Sequence, residues 1–124
     1  MPQPTILLVD DEPDFLDAIV DLLQAEGYEI LTAQGGRAAM ELLSTRQVDL
    51  VLLDLEMPQP DGWAVFTWMR RQPLHKATPV MIFSGTPVPA GLQDQVNIDA
   101  PSWLDKVVGH DELLEGLRKH LQPA

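Results

Sequence analysis

Short apolar segments recur along the chain, and most of them stop abruptly at a charged or polar residue. Residues 6–9 are four consecutive branched side chains, which is typical of a strand buried on both faces of a parallel sheet. Similar patterns predict four further strands, at residues 28–33, 48–53, 79–83 and 103–106.

Apolar residues at helical spacing fill the intervals between these strands. The first helix is predicted to begin at Pro13, whose missing N–H costs nothing in a first turn, and to continue to Gly27. Further helices are predicted around residues 39–43 and around Phe66. We expect Asp111 to cap the last helix.

The alternation of strand and helix predicts an α/β domain in which helices cover both faces of a parallel sheet. Prolines within residues 86–101 leave room only for a short or irregular fourth helix near residues 91–97. The 124 residues suit one domain spanning residues 1–124, because domains usually hold about 100–150 residues.

Charge and composition exclude several classes of function. The formal net charge of −11 is the wrong sign for binding a nucleic-acid backbone or an anionic membrane. The chain has no cysteine, which excludes disulfide scaffolds and thiolate sites. The N-terminus resembles no secretory signal, and no apolar run is long enough to cross a membrane. We therefore expect a cytoplasmic protein that binds neither nucleic acid directly nor membrane.

Chemically versatile residues stand where four of the five predicted strands end. Asp10 and Asp11 follow the first strand and Asp54 the third, while Ser84 follows the fourth and Lys106 ends the fifth. Parallel strands share one carboxyl edge, and a flavodoxin-like strand order places the ligand crevice between the first and third strands. We therefore expect the three carboxylates to converge there.

Three carboxylates in one crevice repel one another unless a cation compensates. Mg²⁺ suits them, because it is usually held by one or two carboxylates, waters and a phosphoryl oxygen. Lys106 and Ser84 can offer a positive charge and a hydroxyl to phosphoryl oxygens, and Asp54 can form an aspartyl-phosphate. The residues thus indicate phosphoryl transfer onto an aspartate.

Each residue also has a purely structural interpretation. The acidic pair could cap the first helix, Asp54 and Ser84 could each belong to an ordinary turn, and Lys106 could be a surface lysine. Their shared position at one sheet edge favours the chemical interpretation. No metal-ligand spacing connects the three histidines, which are interpreted as structural: His75, His110 and His120.

With these residues identified, the sequence resembles the receiver domain of two-component response regulators over essentially its whole length. The matching motifs are LLVDDE at 7–12, DLEMP at 54–58 with DG at 61–62, SG at 84–85 and WLDK at 103–106. The resemblance implies a flavodoxin-like (βα)5 doubly wound sheet in the strand order 2-1-3-4-5.

The resemblance also implies the site chemistry. Asp54 would be the phosphoacceptor and Mg²⁺ the cofactor. The implied metal ligands are Asp10, Asp11, Asp54 and the backbone carbonyl of Glu56.

Other roles follow from the same resemblance. Ser84 and Lys106 would contact the phosphoryl group, and Trp103 would move together with Ser84 when the domain switches. Glu56 lies two residues past the phosphoacceptor and Thr86 two residues past Ser84. We expect their side chains to lie on either side of the path of the attacking water, and therefore to tune the rate of dephosphorylation.

The implied function is to accept a phosphoryl group from a sensor histidine kinase or a histidine phosphotransfer protein and to switch a partner-binding surface. A homodimer is among the expected partners. We expect self-catalysed phosphotransfer and dephosphorylation, but no turnover of an external substrate. The main alternative is a degenerate receiver that acts only as a docking module.

Two other classes fit the residues poorly. A phosphatase of the haloacid-dehalogenase kind would need an Asp-x-Asp motif after the first strand, where this chain has Asp10-Asp11. A flavodoxin-like FMN carrier would need a phosphate-binding loop there, and the acidic loop repels phosphate. The chain departs from the receiver pattern at Val107, where a proline usually follows the lysine, and at residues 99–100, where Asp-Ala replaces Gly-Ala.

Overall fold

The structure is a computed structural model that describes residues 3–84, 102–105 and 110–121. Five strands and four helices alternate along the described residues, apart from β4 and β5, which are consecutive there. In chain order they are β1 Thr5–Asp10, α1 Pro13–Ala25, β2 Glu29–Gln34, α2 Gly36–Leu43, β3 Leu50–Leu53, α3 Gly62–Arg71, β4 Val80–Ser84, β5 Ser102–Asp105 and α4 His110–Leu121.

The five strands form one parallel sheet in the order β2-β1-β3-β4-β5. The predicted fold class and strand order are therefore confirmed. The order reverses direction at β1, which lies between β2 and β3. The carboxyl ends of β1 and β3 are neighbours, because Val9 pairs with Leu53 in the register of these strands.

The sheet separates two apolar layers. Alternate residues of β1 and β3 point to opposite faces, so that Leu7 and Val9 join one buried cluster while Ile6 and Leu8 join the other. The first cluster includes residues of α2 and α3, and the second includes residues of α1 and α4. Because both faces are covered, the strands can be continuously apolar, as the sequence pattern predicted.

Each of the five strands differs from its predicted boundaries by one or two residues at one or both ends. β2 begins and ends one residue later than predicted, and β3 begins at Leu50 rather than at residue 48. The prediction that Asp111 caps the last helix is wrong, because α4 already includes Asp111. An acidic residue is favourable both as a cap and within the first helical turn, so the residue type alone does not separate the two positions.

Some predictions fall outside the described residues. These are the short helix near residues 91–97 and the geometry of the bond between residues 106 and 107. None of the helices in the described part of the chain has the length and apolar content needed to cross a membrane.

His75 is a structural residue, in agreement with the sequence interpretation. Its side chain is fully buried, and its Nε2 lies in hydrogen-bonding contact with the carbonyl oxygen of Leu43 at the end of α2. The Arg70 guanidinium donates to the carbonyl oxygens of His75 and Thr78, at 3.1 and 2.8 Å, and stacks on Phe66. These bonds join α2 and α3 to the segment that leads into β4.

Candidate functional site

Two buried aspartates lie side by side at the carboxyl edge of the sheet. Asp10 is the last residue of β1, and Asp54 directly follows β3. The Asp54 N–H donates to the carbonyl oxygen of Val9 at 3.0 Å, which continues the parallel pairing to the end of the strands. The exposed fraction is only 1% for Asp10 and 2% for Asp54. Parallel pairing thus brings both carboxylates into one buried edge, as predicted.

Each of these carboxylates is oriented by the backbone of its own loop. Asp10 Oδ1 accepts a hydrogen bond from the Glu12 N–H at 3.0 Å, and Asp54 Oδ1 accepts one from the Glu56 N–H at 3.1 Å. Both bonds span two residues, so the two loops hold their aspartates in the same way. Hydrogen bonds to an ionised acceptor are stronger than neutral ones, which helps to stabilise the buried charge.

The acidic pair does not cap α1. Glu12 occupies the N-cap position, and no side chain there makes a capping hydrogen bond. The structural interpretation of Asp10 and Asp11 as a helix cap is therefore wrong.

An acidic cluster is formed by Asp10, Asp11 and Glu12, whose carboxylate oxygens lie within 4.8 Å of one another. Asp54, rather than Glu12, is the third carboxylate predicted from the sequence, although the place of Glu12 directly after the acidic pair could have indicated it. Hard carboxylate oxygens are the ligands that Mg²⁺ prefers, so the donor set fits this ion. Asp54 lies at the end of the adjacent strand and is not a member of this cluster.

The loop that follows Asp54 is anchored by the start of α3. Asp61 caps this helix, because its Oδ1 accepts from the Ala64 N–H at 3.0 Å. Gly62 packs directly on the loop, and a Cβ atom there would collide with the backbone carbonyl oxygen of Asp54 and lie 2.7 Å from the Leu55 Cα. The Asp-Gly pair of the sequence motif is thus required by a helix cap followed by a close backbone contact.

The remaining predicted site residues are described less completely. Ser84 ends β4 and pairs in register with Asp105, and Trp103 pairs with Ile82 in β4. The strand backbone therefore places Ser84 at the same carboxyl edge as the aspartates. Glu56 is exposed in the loop after Asp54. Two predicted residues, Thr86 and Lys106, lie outside the described residues.

A sequence model of the family described as "Response regulator receiver domain" matches residues 6–118. The chain belongs to this family. The motifs that carried the sequence resemblance all lie within the matched residues. Membership supports a phosphoacceptor function in two-component signalling, and the alternative of a phosphorylation-independent docking module is not favoured.

Relatives and solved structures agree with this assignment. The chain is 34% identical over 120 residues to a probable cyclic di-GMP phosphodiesterase of Vibrio cholerae. The aligned residues make up 97% of this chain but only 27% of that protein. The fold of this chain matches that of the chemotaxis protein CheY4 of Vibrio cholerae with a TM-score of 0.88 and 28% identity, over 97% of this chain and 100% of CheY4.

A third comparison concerns the response regulator TrrA of Thermotoga maritima, whose structure was solved in complex with Mg²⁺ and BeF. The TM-score is 0.83 and the identity 32%, over 96% of this receiver and 100% of TrrA. The receiver spans less than a third of the length of the curated relatives it matches.

The close contact at Gly62 predicts how the substitution Gly62→Ala changes the stability of the receiver. Alanine is favoured over glycine within a helix by about 0.5–1 kcal/mol, so Gly62→Ala would stabilise the receiver if space allowed. Because the added Cβ collides with backbone, we expect the free energy of unfolding to fall by about 1–3 kcal/mol instead. Urea denaturation followed by circular dichroism measures this change. An equally or more stable variant would contradict the contact.

Proposed function

We propose that this receiver accepts a phosphoryl group on Asp54, in a reaction that requires Mg²⁺. The observation that carries the proposal is the burial of Asp54 beside Asp10, at the sheet edge where the acidic cluster gathers. Burying carboxylates so close together is costly unless positive charge and hydrogen bonds compensate them. A site built in this way suits chemistry in which a cation and an anionic group bind together.

The proposed reaction is a nucleophilic displacement at phosphorus. An Asp54 carboxylate oxygen attacks the phosphorus of a phosphohistidine, the P–N bond breaks, and the imidazole leaves with the electron pair. The hydrogen bond from the Glu56 N–H to Asp54 Oδ1 restrains the orientation of the carboxylate. Positioning of this kind accounts for much of the catalysis in phosphoryl transfer.

The residues proposed to hold Mg²⁺ are Asp10, Asp11, Asp54 and the backbone carbonyl of Glu56. When bound, the ion supplies positive charge that offsets both the carboxylates and the phosphoryl oxygens. The hydrogen bond from the Glu12 N–H restrains Asp10 Oδ1 within the acidic cluster.

Ser84 and Lys106 are proposed to contact the phosphoryl group. Ser84 is the last residue of β4 and so lies at the carboxyl edge of the sheet, which supports the proposed contact between its hydroxyl and the phosphoryl group. A switch between two states requires a contact that differs between them, and a hydroxyl drawn toward a phosphoryl group is such a contact. We propose that Trp103, one strand further along the sheet, responds to it.

The proposed phosphodonor is a sensor histidine kinase or a histidine phosphotransfer protein in the cytoplasm. The receiver itself would catalyse both its phosphorylation and its later dephosphorylation, without turnover of an external substrate. We propose that residues 1–124 form one receiver unit and that this unit can bind a second copy of itself as a homodimer. Its acidic charge supports a signalling role without direct contact to nucleic acid.

Phosphorylation of Asp54 can be tested with acetyl phosphate and Mg²⁺, followed by intact-mass spectrometry. We expect wild type to gain the mass of one phosphoryl group and Asp54→Asn to gain none, because the amide is not a nucleophile. Asp61→Asn is the matched control, since asparagine also caps helices and the change lies in the same loop. Equal mass gain in wild type and Asp54→Asn would contradict the assignment.

The lifetime of the phosphorylated state should depend on the Glu56 side chain. Glu56 is exposed, and its own backbone N–H binds the Asp54 carboxylate. A charge this close to the path of the attacking water alters the barrier, and each roughly 1.4 kcal/mol changes the rate tenfold. Thr86, two residues past Ser84 in the sequence, is proposed to influence the same approach.

The test compares the dephosphorylation half-lives of wild type, Glu56→Gln and Glu56→Lys at a fixed Mg²⁺ concentration. We expect at least one variant to differ from wild type by about fivefold or more. Glu41→Lys, an equal charge change at an exposed position of α2, should leave the half-life unchanged. Half-lives that agree within about twofold in all four proteins would show that the Glu56 side chain does not face the reaction.

A further inference from the structure

The turn between β2 and α2 contacts both of the loops that carry the site carboxylates. Gly36, the first residue of α2, packs against the backbone of Pro60, and a Cβ atom there would collide with the Pro60 carbonyl oxygen. Two residues earlier, Gln34 Nε2 donates to the carbonyl oxygen of Asp11 at 3.4 Å. Residues 34–36 therefore lie against the loop after β1 and the loop after β3.

Glycine is required at position 36 by space and not by backbone conformation. Gly36 is buried and helical, and its φ is not in the left-handed region. Gly35, by contrast, has a φ of +110°, but a Cβ atom there would meet nothing within 4 Å. The two neighbouring glycines are therefore needed for different reasons: Gly35 for its backbone conformation, and Gly36 because a Cβ atom would collide with a site loop.

The loop from Asp54 to Gly62 is held at two points. Gly62 packs on the Asp54 carbonyl and so joins the two ends of the loop, and Gly36 packs on the carbonyl of Pro60, two residues before Gly62. Both contacts join backbone to the first residue of a helix, so neither can yield by a simple side-chain rotation. A shift of α2 would therefore be transmitted to the loop that contains Asp54 and Glu56.

We propose that Gly36, assisted by Gln34, is a positioning residue for the metal and phosphoryl site. The β2–α2 turn contributes no ligand. It fixes the distance between the loop bearing Asp10 and Asp11 and the loop bearing Asp54. This inference rests on the proposed function, because the property it controls is the affinity of the site for Mg²⁺.

The test is a calorimetric titration of Mg²⁺ into wild type, Gly36→Ala and Gly27→Ala. Gly27→Ala is the control for stability, because Gly27 has a φ of +92° and a Cβ atom there would meet nothing within 4 Å. It is expected to unfold at a lower temperature while its Mg²⁺ affinity stays within about twofold of wild type. Gly36→Ala is expected to bind Mg²⁺ about tenfold more weakly, which corresponds to about 1.4 kcal/mol.

A second measurement reports position directly. In amide NMR spectra recorded without Mg²⁺, Gly36→Ala should shift the Glu56 N–H signal, since this group binds the Asp54 carboxylate. Gly27→Ala should leave that signal in place. A Gly36→Ala variant that has wild-type Mg²⁺ affinity and an unshifted Glu56 signal would overturn the inference.

Two further results keep the test decisive. If Gly36→Ala does not fold, Gln34→Ala removes the other contact from an exposed position and is expected to weaken Mg²⁺ binding about threefold. Unchanged affinity in Gln34→Ala would then overturn the inference. Failure of wild type itself to bind Mg²⁺ would contradict the proposed function instead, so the two failures are distinguishable.

Discussion

The parallel pairing of β1 with β3 places two buried carboxylates at adjacent strand ends, and the surrounding structure must stabilise that arrangement. The bond from the Asp54 N–H to the Val9 carbonyl continues the pairing up to the site. Ionised carboxylates are costly to bury, so their loops supply backbone N–H donors to Asp10 and Asp54. The same requirement makes a divalent cation a natural occupant of this edge.

The helices serve the site by fixing its loops. α3 begins with a cap at Asp61 and a close backbone contact at Gly62, and α2 begins with a similar contact at Gly36. Neither α2 nor α3 contributes a proposed metal ligand. Their amino ends instead confine the loop between β3 and α3, while hydrogen bonds of His75 and Arg70 join α2 and α3 at the other end of the helices. Rigid support of this kind is what positioning in phosphoryl transfer requires.

Sequence reasoning predicted the parts of this structure that depend on local pattern. Unbroken apolar runs predicted strands buried on both faces, and the abrupt stops at Asp10 and Asp54 predicted carboxylates at one edge. Contacts between distant segments were not predictable in the same way. Nothing local distinguishes Gly36, which is required by the Pro60 carbonyl, from Gly35, which is required by its own φ. The predicted cap at Asp111 failed because acids suit both positions at a helix start.

The most direct test of a cation site at the buried carboxylates is the Mg²⁺ affinity of Asp10→Asn compared with Asp17→Asn. Both substitutions remove one negative charge, but Asp17 is exposed on α1 while Asp10 is buried at the end of β1. The account predicts that the dissociation constant for Mg²⁺ rises at least about tenfold in Asp10→Asn and changes by less than about twofold in Asp17→Asn. Equal dissociation constants in the two variants would mean that Mg²⁺ responds only to net charge, and would contradict the account.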